Sequence, residues 1–307
     1  MNTMEMGTME MSTMENPETI SHLPQGIQRL VRLVESQRTD VTPERAKDFV
    51  LEANVQTEDV MPWADFGHSP RDSYGRKMVY DGGFFEIMVM SWVPGDFSSI
   101  HDHGTTQWGA VKSFGHAEHA VFTMQDHVLT TKVRNAFTDG TVNAVTHDLI
   151  HQMGNAGQTP FCSLHMYGSY DHNGEITGDA RIFDLYEDKI QFTSGGVFFC
   201  LPESDITGRE VGVDADYPTC QRHHAEMLKR IHTFLPHLAD EQERQSFTTR
   251  ADDLCTRLFS TEEREQFLCD IAALTDDDGH VRAEKQWNAF WNKVCVAAEQ
   301  KASYQLH

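Results

Sequence analysis

The sequence predicts a mainly β fold, an antiparallel sandwich or barrel with helices before it and a helical extension behind it. Between about Lys77 and Leu201 the apolar residues fall in short runs of strand length, separated by Gly-, Asp- and Asn-rich turns. Before and after that stretch they recur at helical spacing instead. With 307 residues, 39% hydrophobic and 23% charged, the chain has a globular composition and room for one large domain or two smaller ones. The expected layout is a disordered low-complexity tail over 1–22, a β domain with its N-terminal helices over 23–217, and an α-helical extension over 218–307.

Taken in order, residues 1–17 are a Met/Thr/Glu-rich tract with no core-forming pattern. Ile27, Leu30, Val31 and Val34 then share one helix face. A second helix should start at Thr42-Pro43, with Thr42 as cap, Pro43 at the first position and Phe49 and Val50 on the packed side. A short helix is expected around 57–65. The strand-length runs include 84–93, 119–124, 127–133, 161–167, 181–187 and 197–201. After about Pro218, Met227, Leu228, Ile231, Phe234 and Leu235 share a face, as do Leu254, Leu258 and Phe259. The last helix should run from about Arg282 to Ala302, carrying Trp287, Phe290, Trp291, Val294 and Val296.

The formal net charge of -22 argues against a nucleic-acid or anionic-membrane surface, because both need clustered Lys and Arg. No apolar stretch approaches the roughly 18 to 20 residues needed to span a bilayer. The N-terminus lacks the basic and apolar segments of a secretory signal. The six cysteines are scattered, with no C-x-x-C pair, and read as reduced, mostly buried thiols of a cytoplasmic protein.

Among 17 histidines, the spacing of three stands out. On a strand, alternate side chains share a face, so His101-Asp102-His103 delivers two imidazoles to one point. Gly95, five residues and His101-x-His103 fit the first half of the first cupin motif, with Gly115 as its closing glycine. His151 followed by Asn155 matches the end of the second cupin motif, with Gly140 at its opening; Thr146 and Asp148 replace its internal Pro and Gly. A metal site of His101, His103 and His151 in a jelly-roll cupin barrel is therefore expected. Most metal cupins add a Glu a few residues after the H-x-H pair, yet Gly104 to Trp108 contains no carboxylate. A neutral three-histidine face leaves three positions open on an octahedral ion, enough for a bidentate anion and O2. His116 and His119 lie where the sequence leaves their relation to the metal open.

Ser98 to Gly104, together with Ser163-Leu164-His165-Met166-Tyr167, resembles the cysteine dioxygenase family. The resemblance covers about residues 70–200 and implies Fe(II) on the three histidines. It also implies a relay of Ser163, His165 and Tyr167, and alternation puts these on one strand face. Tyr74-Gly75-Arg76 resembles the family segment whose Arg binds the substrate carboxylate, a task suited to a planar guanidinium. Relatives acting on mercaptopropionate use an Arg downstream of the relay Tyr instead, and Arg181 lies in roughly that region. Animal members carry a Cys after the H-x-H pair that crosslinks to the Tyr; Trp108 or Gly109 stands there, as in bacterial members.

The resemblance implies a dioxygenase that converts a small thiol, L-cysteine before others, with O2 to its sulfinic acid. Alternatives are 3-mercaptopropionate, mercaptosuccinate or cysteamine as substrate, a non-oxygenase metal cupin, and a regulatory binding cupin. The partners expected are the small thiol and O2, with no nucleic acid and no membrane. The C-terminal helices either cap the barrel mouth or form a homodimer. Asp276-Asp277-Asp278-Gly279 lacks the acidic first and last ligands of a calcium loop, so Asp277 or Asp278 is expected to end or cap a helix.

Overall fold

The computed structural model describes residues 20–170 and 176–301. The low-complexity tract over 1–17 and the last residue of the predicted final helix, Ala302, lie outside the described residues.

The chain enters the fold through α1 (Gln25–Glu35) and α2 (Pro43–Ala53). Thr42 caps α2 by accepting from the Arg45 amide, and Pro43 occupies its first turn, as the sequence predicts. The short helix expected around 57–65 is a single turn, α3 (Thr57–Val60), continued by a 3-10 turn over Met61–Trp63.

Two antiparallel sheets follow. The first has the order β1-β2-β8-β3-β6, built from β1 (Gly75–Asp81), β2 (Phe85–Trp92), β3 (Trp108–Ser113), β6 (Val142–Thr146) and β8 (Phe161–Gly168). The second combines β12-β5-β4-β7 with β11-β10-β9. Its members are β4 (Ala117–Gln125), β5 (Val128–Phe137), β7 (Ile150–Gly154), β9 (Ala180–Asp184), β10 (Lys189–Thr193), β11 (Gly208–Val211) and β12 (Asp214–Ala215), the last of which runs parallel to β5. This is the cupin jelly roll that the motifs imply.

The central strands β2, β8 and β3 of the first sheet are buried on both faces, and the pleat sorts their side chains into two cores. Phe85, Ile87 and Val89 of β2 and Leu164 and Met166 of β8 join Ile27, Leu30, Phe49 and Val50 of the N-terminal helices. The alternate residues Met88, Met90, Trp92, Phe161 and Tyr167 face inward, with Met153 and Ile182 from the opposite sheet.

The predicted strand at 197–201 is not one. It is buried but makes no ladder, and Cys200 has φ 56, the left-handed region. Side-chain hydroxyls take the place of a neighbouring strand: the Val197 and Phe199 amides donate to the hydroxyls of Tyr74 (3.2 Å) and Ser73 (3.0 Å). The run at 181–187 leaves its strand at Asp184, whose carboxylate accepts from the Tyr186 and Glu187 amides and turns the chain.

Four helices close the chain: α4 (Tyr217–Phe234), α5 (Glu241–Leu258), α6 (Thr261–Leu274) and α7 (Glu284–Lys301). Met227, Leu228, Ile231 and Phe234 pack against Leu254, Leu258, Trp287 and Trp291, and Phe97 and Phe199 of the β region join the same core. Val296, one of the apolar residues of the predicted last helix, is 45% exposed. Asp276, rather than Asp277 or Asp278, takes the amides after α6, accepting from Asp278 and His280. No described helix is long and apolar enough to cross a membrane.

Candidate metal centre

The H-x-H pair lies on an extended segment that bridges two strands rather than on a regular strand. Phe97 pairs with Gly154, and His101 pairs with His151 of β7 on one side and Ile182 of β9 on the other. The His101 and His151 backbones exchange two hydrogen bonds, at 3.0 and 2.9 Å. That exchange sets their side chains beside each other, and His103 arrives two residues on. Ring centroids of His101, His103 and His151 stand 4.5, 4.7 and 5.5 Å apart. One ring nitrogen from each lies within 4.8 Å of the others.

The hydrogen bonds select which nitrogens face inward. His101 Nδ1 donates to the Ser99 carbonyl at 2.8 Å, leaving Nε2 for the cluster. His151 Nδ1 meets His119 Nε2 at 2.8 Å, and His151 Nε2 is buried without a partner. Both ring nitrogens of His103 are also buried without a partner. An unsatisfied buried polar atom costs about 1–3 kcal/mol, so orphans converging on one point mark a ligand site. Burial holds all three imidazoles neutral: His101 falls to about 4, and His103 and His151 lie well below 6.5 through burial and neighbouring histidines. Neutral imidazoles with free lone pairs suit a divalent transition ion, and the residues present fit one. No carboxylate among the described residues joins the group. Asp102 instead accepts from Gly104, from the Arg181 amide and from Arg181 Nε.

Ser163, His165 and Tyr167 lie on the inward face of β8, as alternation predicts. Tyr167 Oη meets His165 Nδ1 at 2.8 Å, His165 Nε2 meets Ser163 Oγ at 2.7 Å, and Trp92 Nε1 donates to Ser163 Oγ at 2.8 Å. Trp92 was not singled out in the sequence, yet it sets the direction of the chain. An indole can only donate, so Ser163 Oγ accepts there and its own proton is available to His165 Nε2, which fixes one tautomer of the chain. His165 then carries its proton on Nδ1 and donates to Tyr167, whose own proton is free for the cavity. Burial supports this protonation: His165 drops to about 3 and stays neutral, and the Tyr167 phenol is pushed up and stays protonated. Tyr167 and His103 rings are 5.3 Å apart.

Tyr74, Arg76, Met88, Trp92 and Thr177 line the same cavity as the three histidines, His165 and Tyr167. The positive charge of Arg76 acts on Tyr74, His165 and Tyr167, and its Nη2 reaches Thr177 Oγ1 at 3.5 Å. Tyr74 stacks on Trp92 at 4.6 Å. Arg181 does not line the cavity; its guanidinium is held by Asp102, which does. Gly109 is the register partner of Tyr167, and a Cβ there would lie 2.8 Å from the Tyr167 ring. Gly109, rather than Trp108, thus occupies the position opposite the phenol.

His119 is the contributor that the sequence left open. It reaches His151 because β4 pairs with β7 in a register that sets Val121 opposite His151. Only the register reveals this, and nothing local in the sequence signals it.

All six cysteines are free; Cys162, Cys200, Cys255 and Cys295 are buried, Cys220 is half-buried and Cys269 is exposed. Among solved structures, a Klebsiella pneumoniae protein with a double-stranded β-helix domain is similar at 15% identity, TM-score 0.30, over 39% of this chain and 88% of its own. The cupin domain of Schizosaccharomyces pombe Cnp3 is similar at 10% identity, TM-score 0.29, over 36% of this chain and 71% of its own. Oxalate decarboxylase of Lactobacillus farciminis is similar at 17% identity, TM-score 0.27, over 32% of this chain and 30% of its own. A search of curated proteins finds no match. The family model of cysteine dioxygenase type I matches residues 9–171, reaching further toward the N-terminus than the motif resemblance and stopping short of β9. With more than half of its length inside that match, the chain belongs to the cysteine dioxygenase type I family.

Proposed function

We propose that the chain is an Fe(II)-dependent dioxygenase that converts a small thiol, L-cysteine before others, with O2 to its sulfinic acid. One observation carries the reading: three neutral histidines without a carboxylate, a guanidinium and an oriented phenol converge on one small buried cavity. His101, His103 and His151 would hold the ion. Bound ferrous iron supplies the redox chemistry that joins a thiolate to O2.

The remaining work falls to side chains. Arg76, in the same cavity as the histidines, fixes the substrate carboxylate, which positions the thiol. Tyr167 offers its hydroxyl proton to the reacting end, held by His165 and Ser163. Met88, Met90, Trp92 and Val197 keep the cavity dry, so those two polar contacts act at low dielectric.

Oxygen uptake by the Fe(II)-loaded protein tests the proposal, with cysteine, 3-mercaptopropionate, cysteamine and mercaptosuccinate offered separately. Uptake with cysteine and recovery of cysteine sulfinate are expected. No uptake with any of the four would overturn the reading. Faster turnover of a thiol other than cysteine would keep the chemistry and change the substrate.

A further inference from the structure

A second cavity, of about 540 Å³, lies away from the metal site, between the β region and the C-terminal helices. Phe66, Val93, Pro94 and Trp287 give it apolar walls, and Lys229 and Arg230, adjacent on α4, line it. Both cations are buried, at 6% and 8% exposure. Burial pulls the Lys229 ammonium down only to about 8, so it carries charge at neutral pH.

Their hydrogen-bond partners are backbone carbonyls. Lys229 donates to the Gly95 carbonyl at 2.7 Å, which uses one of its three N–H groups. Arg230 Nη2 donates to the carbonyls of Pro70 and Asp72, and its Nε is buried without a partner. The buried carboxylate in the lining is Asp96. It stands 3.7 Å from Arg230, and its Oδ2 already accepts from the Val93 amide and pairs with His68. Asp96 is the carboxylate that acts on both cations, with Glu226 acting on Lys229 and Asp72 on Arg230, and taking a cation out of water still costs several kcal/mol. Gly95 makes the room: at φ 95, a Cβ there would fall 2.4 Å from Lys229 Nζ and 2.1 Å from Asn288 Oδ1.

We propose that this cavity binds a small organic carboxylate, with the anion beside Lys229 and Arg230 and its carbon skeleton against Trp287 and Val93. The volume falls within the range of small-molecule sites, roughly 300–1,000 Å³. The apolar walls favour an organic anion over inorganic phosphate, which would leave them unused.

Succinate, with its neutral isostere succinamide as control, is the probe, titrated calorimetrically into the full-length metal-loaded protein. Saturable binding of succinate is expected, with none for succinamide. Lys229→Met should weaken it at least tenfold. Thr233→Phe, which fills the cavity without removing a charge, should do the same. Glu284→Gln, at the exposed mouth, should tighten it about twofold by removing a repelling charge, and it decides the matter if Lys229→Met does not fold. The proposal is overturned if succinate does not bind, if succinamide binds equally, or if Thr233→Phe and Glu284→Gln leave the affinity unchanged. That last result would put succinate elsewhere, the metal centre included.

Discussion

Substituting His119→Leu removes the side chain that pairs with His151 Nδ1 at 2.8 Å. With His151 Nε2 turned to the metal, its Nδ1 must carry the proton, and His119 Nε2 accepts it. Leucine leaves that N–H buried and unsatisfied, which costs about 1–3 kcal/mol. Loss of an outer partner of a ligating histidine typically costs about 10–100-fold in metal affinity. The two scales agree, because tenfold corresponds to about 1.4 kcal/mol. The ring also packs, tilted, on Phe137 with centroids 4.4 Å apart, a contact that leucine largely keeps, so folding should survive. Fe(II) or Co(II) affinity, measured by chelator competition, should fall about 10–100-fold in His119→Leu. His119→Gln, which restores an acceptor, should recover most of it. Wild-type affinity in His119→Leu, or equal losses in both variants, would show that the contact does not orient the ligand.

Arg76→Ala should raise KM for cysteine about 10–100-fold, the worth of a charge-assisted pair at about 1.5–3 kcal/mol. Turnover of cysteamine, which has no carboxylate, should stay within about twofold, so steady-state oxygen uptake with both thiols separates carboxylate binding from general damage. Tyr167→Phe should lower kcat about 100-fold, the low end of proton-transfer catalysis, with metal affinity unchanged by chelator competition. Burial alone would lower the pKa of His68, but the hydrogen bond and charge of Asp96 outweigh it and Arg230, leaving the pKa raised above 6.5. The folded chain therefore holds that proton more tightly. The stability gained is full below 6.5 and is lost as pH rises through the raised value. The difference in Tm between wild type and His68→Gln should be larger at about pH 6 than at about pH 9; an equal difference at both would refute the linkage.

The parts of the site legible in the sequence are those set by local period. Ser163, His165 and Tyr167 share a face because they alternate on one strand, and His101 and His103 converge because the chain between them is extended. What depends on pairing between distant segments was hidden. The reach of His119 to His151 and the tie of Arg181 to Asp102 both follow from strand register. The apolar run at 197–201 told truthfully of burial, but burial does not say whether a neighbouring strand or side-chain hydroxyls satisfy the backbone. The helical faces of α4 and α7 were readable from period, whereas the docking of Lys229 on the Gly95 carbonyl spans a separation that no local pattern encodes.

β8 has no solvent face: Cys162, Leu164 and Met166 anchor the helices outside while Ser163, His165 and Tyr167 address the cavity within. A single-residue insertion or deletion upstream in this strand would exchange the two sets. It would push a histidine and a tyrosine into a hydrocarbon layer and turn leucine and methionine toward the metal. Substitutions here can be graded and local, but a frame slip is all-or-none. The strand's length should therefore hold across any variants that keep activity, even where its side chains drift.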